Sequence, residues 1–172
     1  MWSFYIKSVQ NGGYLDGTRE PVWEELDRFS PPEIVDHNHL RPNVLPLPRE
    51  HTSPPMTTNP GAITWRLKPN GKGNFFLECL DTKFYLDGGP EHLWRNTTES
   101  NPNPDYISWK IMSAGNESFF IQCVQHGCYL NADKKHIWSG TIESNPNPNS
   151  LKWILLDPAK QKPITMIPSI KH

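Results

Sequence analysis

The sequence has no apolar run approaching the ~20 residues that a membrane-spanning helix requires, so no membrane span is expected. Nor does it carry an excess of either charge: Lys+Arg 17 stand against Asp+Glu 18, and a chain without a basic field is poorly suited to nucleic acid. Cysteine is scarce and odd in number. Cys79, Cys123 and Cys128 have no metal-ligand spacing, and Cys79 and Cys123 fall at equivalent strand positions, which suits small buried residues; free thiols are expected. The first residues, "MWSFYIKSVQ", enter a strand pattern directly, with no basic start and apolar h-region. This reading leads to a cytoplasmic protein, with unconventional secretion left open. The sequons at Asn96 and Asn116 then carry little meaning.

Apolar residues make up 35% of the 172, low for a helical bundle, while 18 prolines and 11 glycines break the chain into short pieces. Length suits one domain with a core of its own. Proline and glycine at this density leave few helical windows, and an all-β chain follows.

Against this background the repeats are the strongest signal. "SFYIKSVQNGGYLDG" from Ser3, "NFFLECLDTKFYLDG" from Asn74 and "SFFIQCVQHGCYLNA" from Ser118 align without a gap. Each continues to an apolar-Trp pair, ending in Trp23, Trp94 and Trp138, and closes on a second tryptophan, Trp65, Trp109 and Trp153. Alternation puts Phe75, Leu77 and Cys79 on one strand face and sends Glu78 to the other, with Gln122 and Lys7 behaving alike. Glycines in "QNGGY" and "QHGCY" supply the turn into the next strand. Four short strands in each of three units of about 44 residues predict a β-trefoil, a six-stranded barrel capped by three hairpins; three propeller blades would fall below the usual minimum.

One domain is expected over 1–172: repeat one 1–70 with an insertion at about 28–57, repeat two 71–115, repeat three 116–157 and a C-terminal tail 158–172 that lies along the barrel or frays. The insertion is dense in proline and too long for a plain loop, so it reads as an ordered flap or a partner-binding arm. Its His37, His39 and His51 are read as solvated residues, with no metal and no cofactor expected.

No catalytic arrangement is found: there is no G-x-S-x-G elbow, phosphate-cradling loop, H-E-x-x-H or paired CxxC. Glu99 and Glu143 are equivalent but belong to different lobes, too far apart for an acid and base on one bond. Cys128 beside His126 does not by itself make a nucleophile and base. A non-catalytic protein is expected.

The two tryptophans of each unit separate by period-two alternation. Trp65, Trp109 and Trp153 share their strand face with apolar residues two positions away and belong to the core, whereas Trp23, Trp94 and Trp138 are directed outward, with His92 and His136 on the same outer face. A repeated outward tryptophan either packs under its own "ESNPNP" loop or marks an interaction site. An indole beside carboxylate and amide groups suits a sugar, whose C–H face stacks while its hydroxyls donate. The candidates are Asp87, His92, Trp94, Asn101 and Asn103 in repeat two, Asn131, His136, Trp138, Asn145 and Asn147 in repeat three, and Asp16 with Trp23 as a thinner remnant in repeat one.

"YLD", an apolar-Trp pair and a terminal tryptophan, in three copies, resemble the ricin B-type β-trefoil lectins, most closely the compact single-domain ones of fungi. That resemblance implies that Asp16 and Asp87, with Asn131 substituting, accept sugar hydroxyls and that Trp23, Trp94 and Trp138 stack on the ring. The short hairpin between Asp87 and Trp94 is similar to that of the actin-binding trefoils fascin and hisactophilin. The expected function is therefore a lectin for glycans or glycoproteins with up to three sites, repeats two and three favoured, homodimerisation being left open. The alternative is a protein-binding trefoil, a protease inhibitor or a cytoskeletal or complex subunit, that uses the proline-rich loop.

Overall fold

The structure is a computed structural model that describes residues 2–18, 59–89, 92–133 and 137–167. Trp23, His136 and the insertion at about 28–57 with its three histidines lie outside the described residues. No α-helix is present among the described residues, hence none long and apolar enough to cross a membrane.

The strands are β1 (Trp2–Ser8), β2 (Thr64–Pro69), β3 (Phe75–Cys79), β4 (Tyr85–Leu86), β5 (Leu93–Trp94), β6 (Ser108–Gly115), β7 (Ser118–Cys123), β8 (Tyr129–Leu130), β9 (Ile137–Trp138) and β10 (Trp153–Leu156). β1 pairs with β2, β2 with β3, β3 with β6, β6 with β7, β7 with β10, and β10 with β1, all antiparallel. The ring closes on itself, which removes free sheet edges. Among the described residues two hairpins stand off this barrel, β4 with β5 and β8 with β9. They join it where Tyr85 pairs with Glu78 and Tyr129 with Gln122. In unit one the bridge between Lys7 and Tyr14 holds the same place.

Turn chemistry follows the repeat. Gly12 and Gly127 adopt φ of 72° and 69° on the way into the next strand, and Lys83 holds the equivalent place in unit two at φ 63°.

The core is built by alternation, as expected. Phe75, Leu77 and Cys79 face inward with Phe119, Ile121 and Cys123, and Trp65, Trp109 and Trp153 are each 0% exposed. A buried indole N–H needs an acceptor. Each finds it in its own unit: Trp65 Nε1 donates to Leu15 O at 2.9 Å, Trp109 to Leu86 O at 2.9 Å and Trp153 to Leu130 O at 3.1 Å. These bonds tie the last strand of each unit to its "YL" segment, directly behind the hairpins. The tail runs along the barrel: Pro163 bridges to Leu156, Ile164 N donates to Leu155 O at 2.7 Å, and Ile164 and Ile167 pack on the core.

Candidate functional site

The two outer tryptophans among the described residues sit at the end of two-residue strands, opposite the tyrosine of "YL": Trp94 opposite Tyr85, Trp138 opposite Tyr129. Both are half-buried. Trp94 Nε1 donates to Thr97 O at 2.9 Å, and Ser100 Oγ donates to the same carbonyl at 2.8 Å. Unit three repeats this with Trp138, Thr141 and Ser144, both bonds being 2.9 Å. The residues leading into "ESNPNP" thus fix the indole's edge while leaving part of the ring to solvent.

The carboxylate and amide candidates hold the turns around that indole. Asp16, Asp87 and Asn131 are buried, and each Oδ1 accepts from the backbone two residues on: Thr18 N at 2.8 Å, Gly89 N at 2.7 Å and Asp133 N at 3.2 Å. Asn101 and Asn145 are buried too, accepting from Asn103 N at 2.9 Å and Asn147 N at 2.8 Å. Asn103 caps the short 3-10 turn Pro104–Tyr106 through Asp105 N at 3.3 Å, and Asn147 precedes the turn Pro148–Leu151. Side-chain capping of this kind, with proline presetting φ, is what "NPNP" encodes. His92 sits in the hairpin turn at φ 62°, its carbonyl accepting from Asp87 N at 2.8 Å.

The polar group that sequence reading passed over is Glu78. It lies on the outer face of β3, yet only 5% of it is exposed. A buried carboxylate must be paired and hydrogen-bonded. Arg66 Nη1 lies 3.1 Å from Oε1 and Lys68 Nζ 3.3 Å from Oε2, while the Tyr85 hydroxyl donates to Oε2 at 3.0 Å. Lys68 Nζ also donates to the Tyr85 oxygen at 3.0 Å. That bond, ahead of Glu78's own contribution and against the opposing effect of burial, holds the Lys68 ammonium above its ordinary range; burial raises the Tyr85 phenol. The signal was present in "TWRLK": Arg66 and Lys68, two apart, share one face, and the register sets Arg66 opposite Glu78.

Glu78, Tyr85 and Trp94 border one open groove of about 700 Å³. Its other walls are Lys83, Arg95, Asn96, Thr97 and Ser100. Arg95 lies over the Phe84 ring, 5.1 Å from its centroid. So one face of unit two combines a half-exposed indole, hydroxyl and amide groups, and a buried acid held by two cations. In unit three the corresponding positions are Gln122, Gly127, Tyr129, Trp138, Ser139, Gly140, Thr141 and Ser144. The described residues contain no cluster of three or more His, Cys, Asp or Glu that could hold a metal.

No family model matches the chain, and no curated protein does. Solved structures do. A designed threefold symmetric protein, ThreeFoil, superposes with a TM-score of 0.54 at 13% identity over 90% of this chain and 98% of its own. The chain is a β-trefoil. SeviL, solved bound to asialo-GM1 saccharide, is similar to this trefoil with a TM-score of 0.52 at 14% identity, over 90% of this chain and 95% of that one. The Polyporus squamosus lectin, solved with a human-type influenza-binding epitope, gives 0.50 at 14% identity over 89% of this trefoil and 48% of that chain. Identities this low establish the fold, which hosts many functions.

Proposed function

We propose that this trefoil is a non-catalytic carbohydrate-binding protein whose best-built site is the groove of unit two, with an equivalent in unit three. The observation that carries the reading is the half-buried Trp94 indole, fixed at its edge by Thr97 O and bordering an open groove beside Glu78 and Tyr85. A pyranose offers an apolar C–H face for such a ring and hydroxyls for the groups around it. Asn96, Ser100 and the remaining acceptor capacity of Glu78 can meet those hydroxyls, and carboxylate acceptors form the stronger bonds. Asp87, Asn101 and Asn103 contribute by holding the turns that set Trp94, as Asn131, Asn145 and Asn147 do for Trp138.

Two of the structural neighbours were solved with saccharides bound, which supports the same reading. Single sites of this open kind are weak: a millimolar site is worth only ~4 kcal/mol, so two sites on one chain act through avidity. The test is a glycan array followed by titration of the best glycan. Trp94→Ala is expected to abolish most binding with an unchanged circular dichroism spectrum. A wild-type protein that captures no glycan would refute the proposal.

A further inference from the structure

Resting on the carbohydrate-binding reading, we infer that the two sites differ in the charge of their ligand: unit two takes saccharides bearing a carboxylate or sulfate, and unit three takes neutral ones. The pseudo-threefold relation provides an internal comparison. The scaffold is shared, since Tyr85 and Tyr129, Trp94 and Trp138, Thr97 and Thr141, and Ser100 and Ser144 are paired by the repeat. What differs is charge. Lys83, Arg95 and Asn96 line the groove of unit two, where unit three has Gly127, Ser139 and Gly140.

Among the described residues, four cations surround the unit-two groove: Lys83 and Arg95 on its walls, Arg66 and Lys68 behind Glu78. Two carboxylates oppose them. Glu78 is engaged by Arg66 and Lys68, and Glu99 is fully exposed on the adjoining loop, its carboxyl held below the usual range by its own backbone N–H, then by Thr98, and more weakly by Lys68. Over these six side chains the formal charge is positive. In unit three the place of Glu78 is taken by Gln122, whose amide donates to Gly127 O at 2.8 Å, and the ions at the matching positions are one cation, Lys110 opposite Gln122, and one carboxylate, Glu143, which offset each other.

Backbone geometry marks Lys83 independently. It sits at φ 63°, where Gly12 and Gly127 hold the same place at 72° and 69°. A side chain in the left-handed region carries a conformational cost that glycine does not. Unit two bears that cost at a residue that lines the groove and whose ammonium donates to Leu80 O at 2.7 Å. Strain of this kind gathers where a side chain is needed for recognition.

The experiment uses the full chain carrying Trp138→Ala, so that unit two is read alone, on an array where each neutral oligosaccharide is spotted beside its sialylated and its sulfated counterpart. Anionic forms are expected to bind about tenfold more tightly at low salt, with the difference shrinking at about 0.5 M salt as surface charges are screened. The double variant Lys83→Gly with Arg95→Ser introduces the residues that unit three itself folds with. It is expected to lose the anionic preference while keeping neutral binding. Preference for the sialylated or the sulfated form alone identifies which anion is read. Equal binding of neutral and anionic forms overturns this inference and leaves the carbohydrate reading standing; no binding of any form overturns both.

Discussion

A Cβ atom on Gly88 would lie 2.5 Å from Cys123 Sγ and 3.3 Å from the Trp109 ring, so glycine is the residue that lets unit two close against unit three. The same relation recurs one unit earlier, where a Cβ on Gly17 would collide with Cys79. Unit three breaks the pattern with Ala132, and the repeat position matching Cys79 and Cys123 is Ser8 in unit one. Glycine thus goes with cysteine, and alanine with the smaller serine, around the threefold axis.

Gly88→Ala is therefore expected to destabilise the fold by about 1–3 kcal/mol, the usual cost of overpacking. Adding Cys123→Ser should recover part of that loss. Chemical denaturation of the four proteins in a double-mutant cycle measures the coupling. Strict additivity would mean that the contact does not set the residue choice.

The β6–β7 hairpin turns through Asn116 and Glu117, at φ 51° and 60°. Two-residue loops with both residues at positive φ favour Asn-Gly. Glu117→Gly is expected to raise stability by about 1 kcal/mol, read as an increased denaturation midpoint at unchanged slope. A lowered midpoint would show that Glu117 makes a compensating contact.

Alkaline pH should lower the stability of the fold. Burial first, and then Tyr5, push the Tyr14 phenol up to about 12 from an ordinary 10.0. The unfolded chain then loses this proton first, so the associated stability is whole below pH 10 and falls between 10 and 12. Tyr85 and Lys68 shift in the same direction. Thermal unfolding across that window should show the decline, and Tyr14→Phe should make it shallower. The same decline in that variant would assign the loss elsewhere.

Much of the fold was legible because it is written three times. Trp65, Trp109 and Trp153 alternate with apolar neighbours, and all three are buried with matching hydrogen bonds. The site was less legible. Alternation correctly set Glu78 on the outer face, but burial on that face comes from Tyr85, Arg66 and Lys68, which reach it from two other strands. A period-two pattern reports the direction of a side chain; it does not report what a hairpin lays over it. Asn101 and Asn145 illustrate the converse, since the sequence showed amides near an indole, and the structure turns their oxygens to backbone N–H groups.

Trp94 and its groove are proposed to bind a saccharide. Isothermal titration of the best array glycan into wild type, Trp94→Ala, Trp138→Ala and the double variant addresses this directly. Trp94→Ala is expected to cause the larger loss, Trp138→Ala to leave binding at unit two intact, and the double variant to bind nothing while remaining folded. Binding in the folded double variant equal to that of wild type would contradict the proposal.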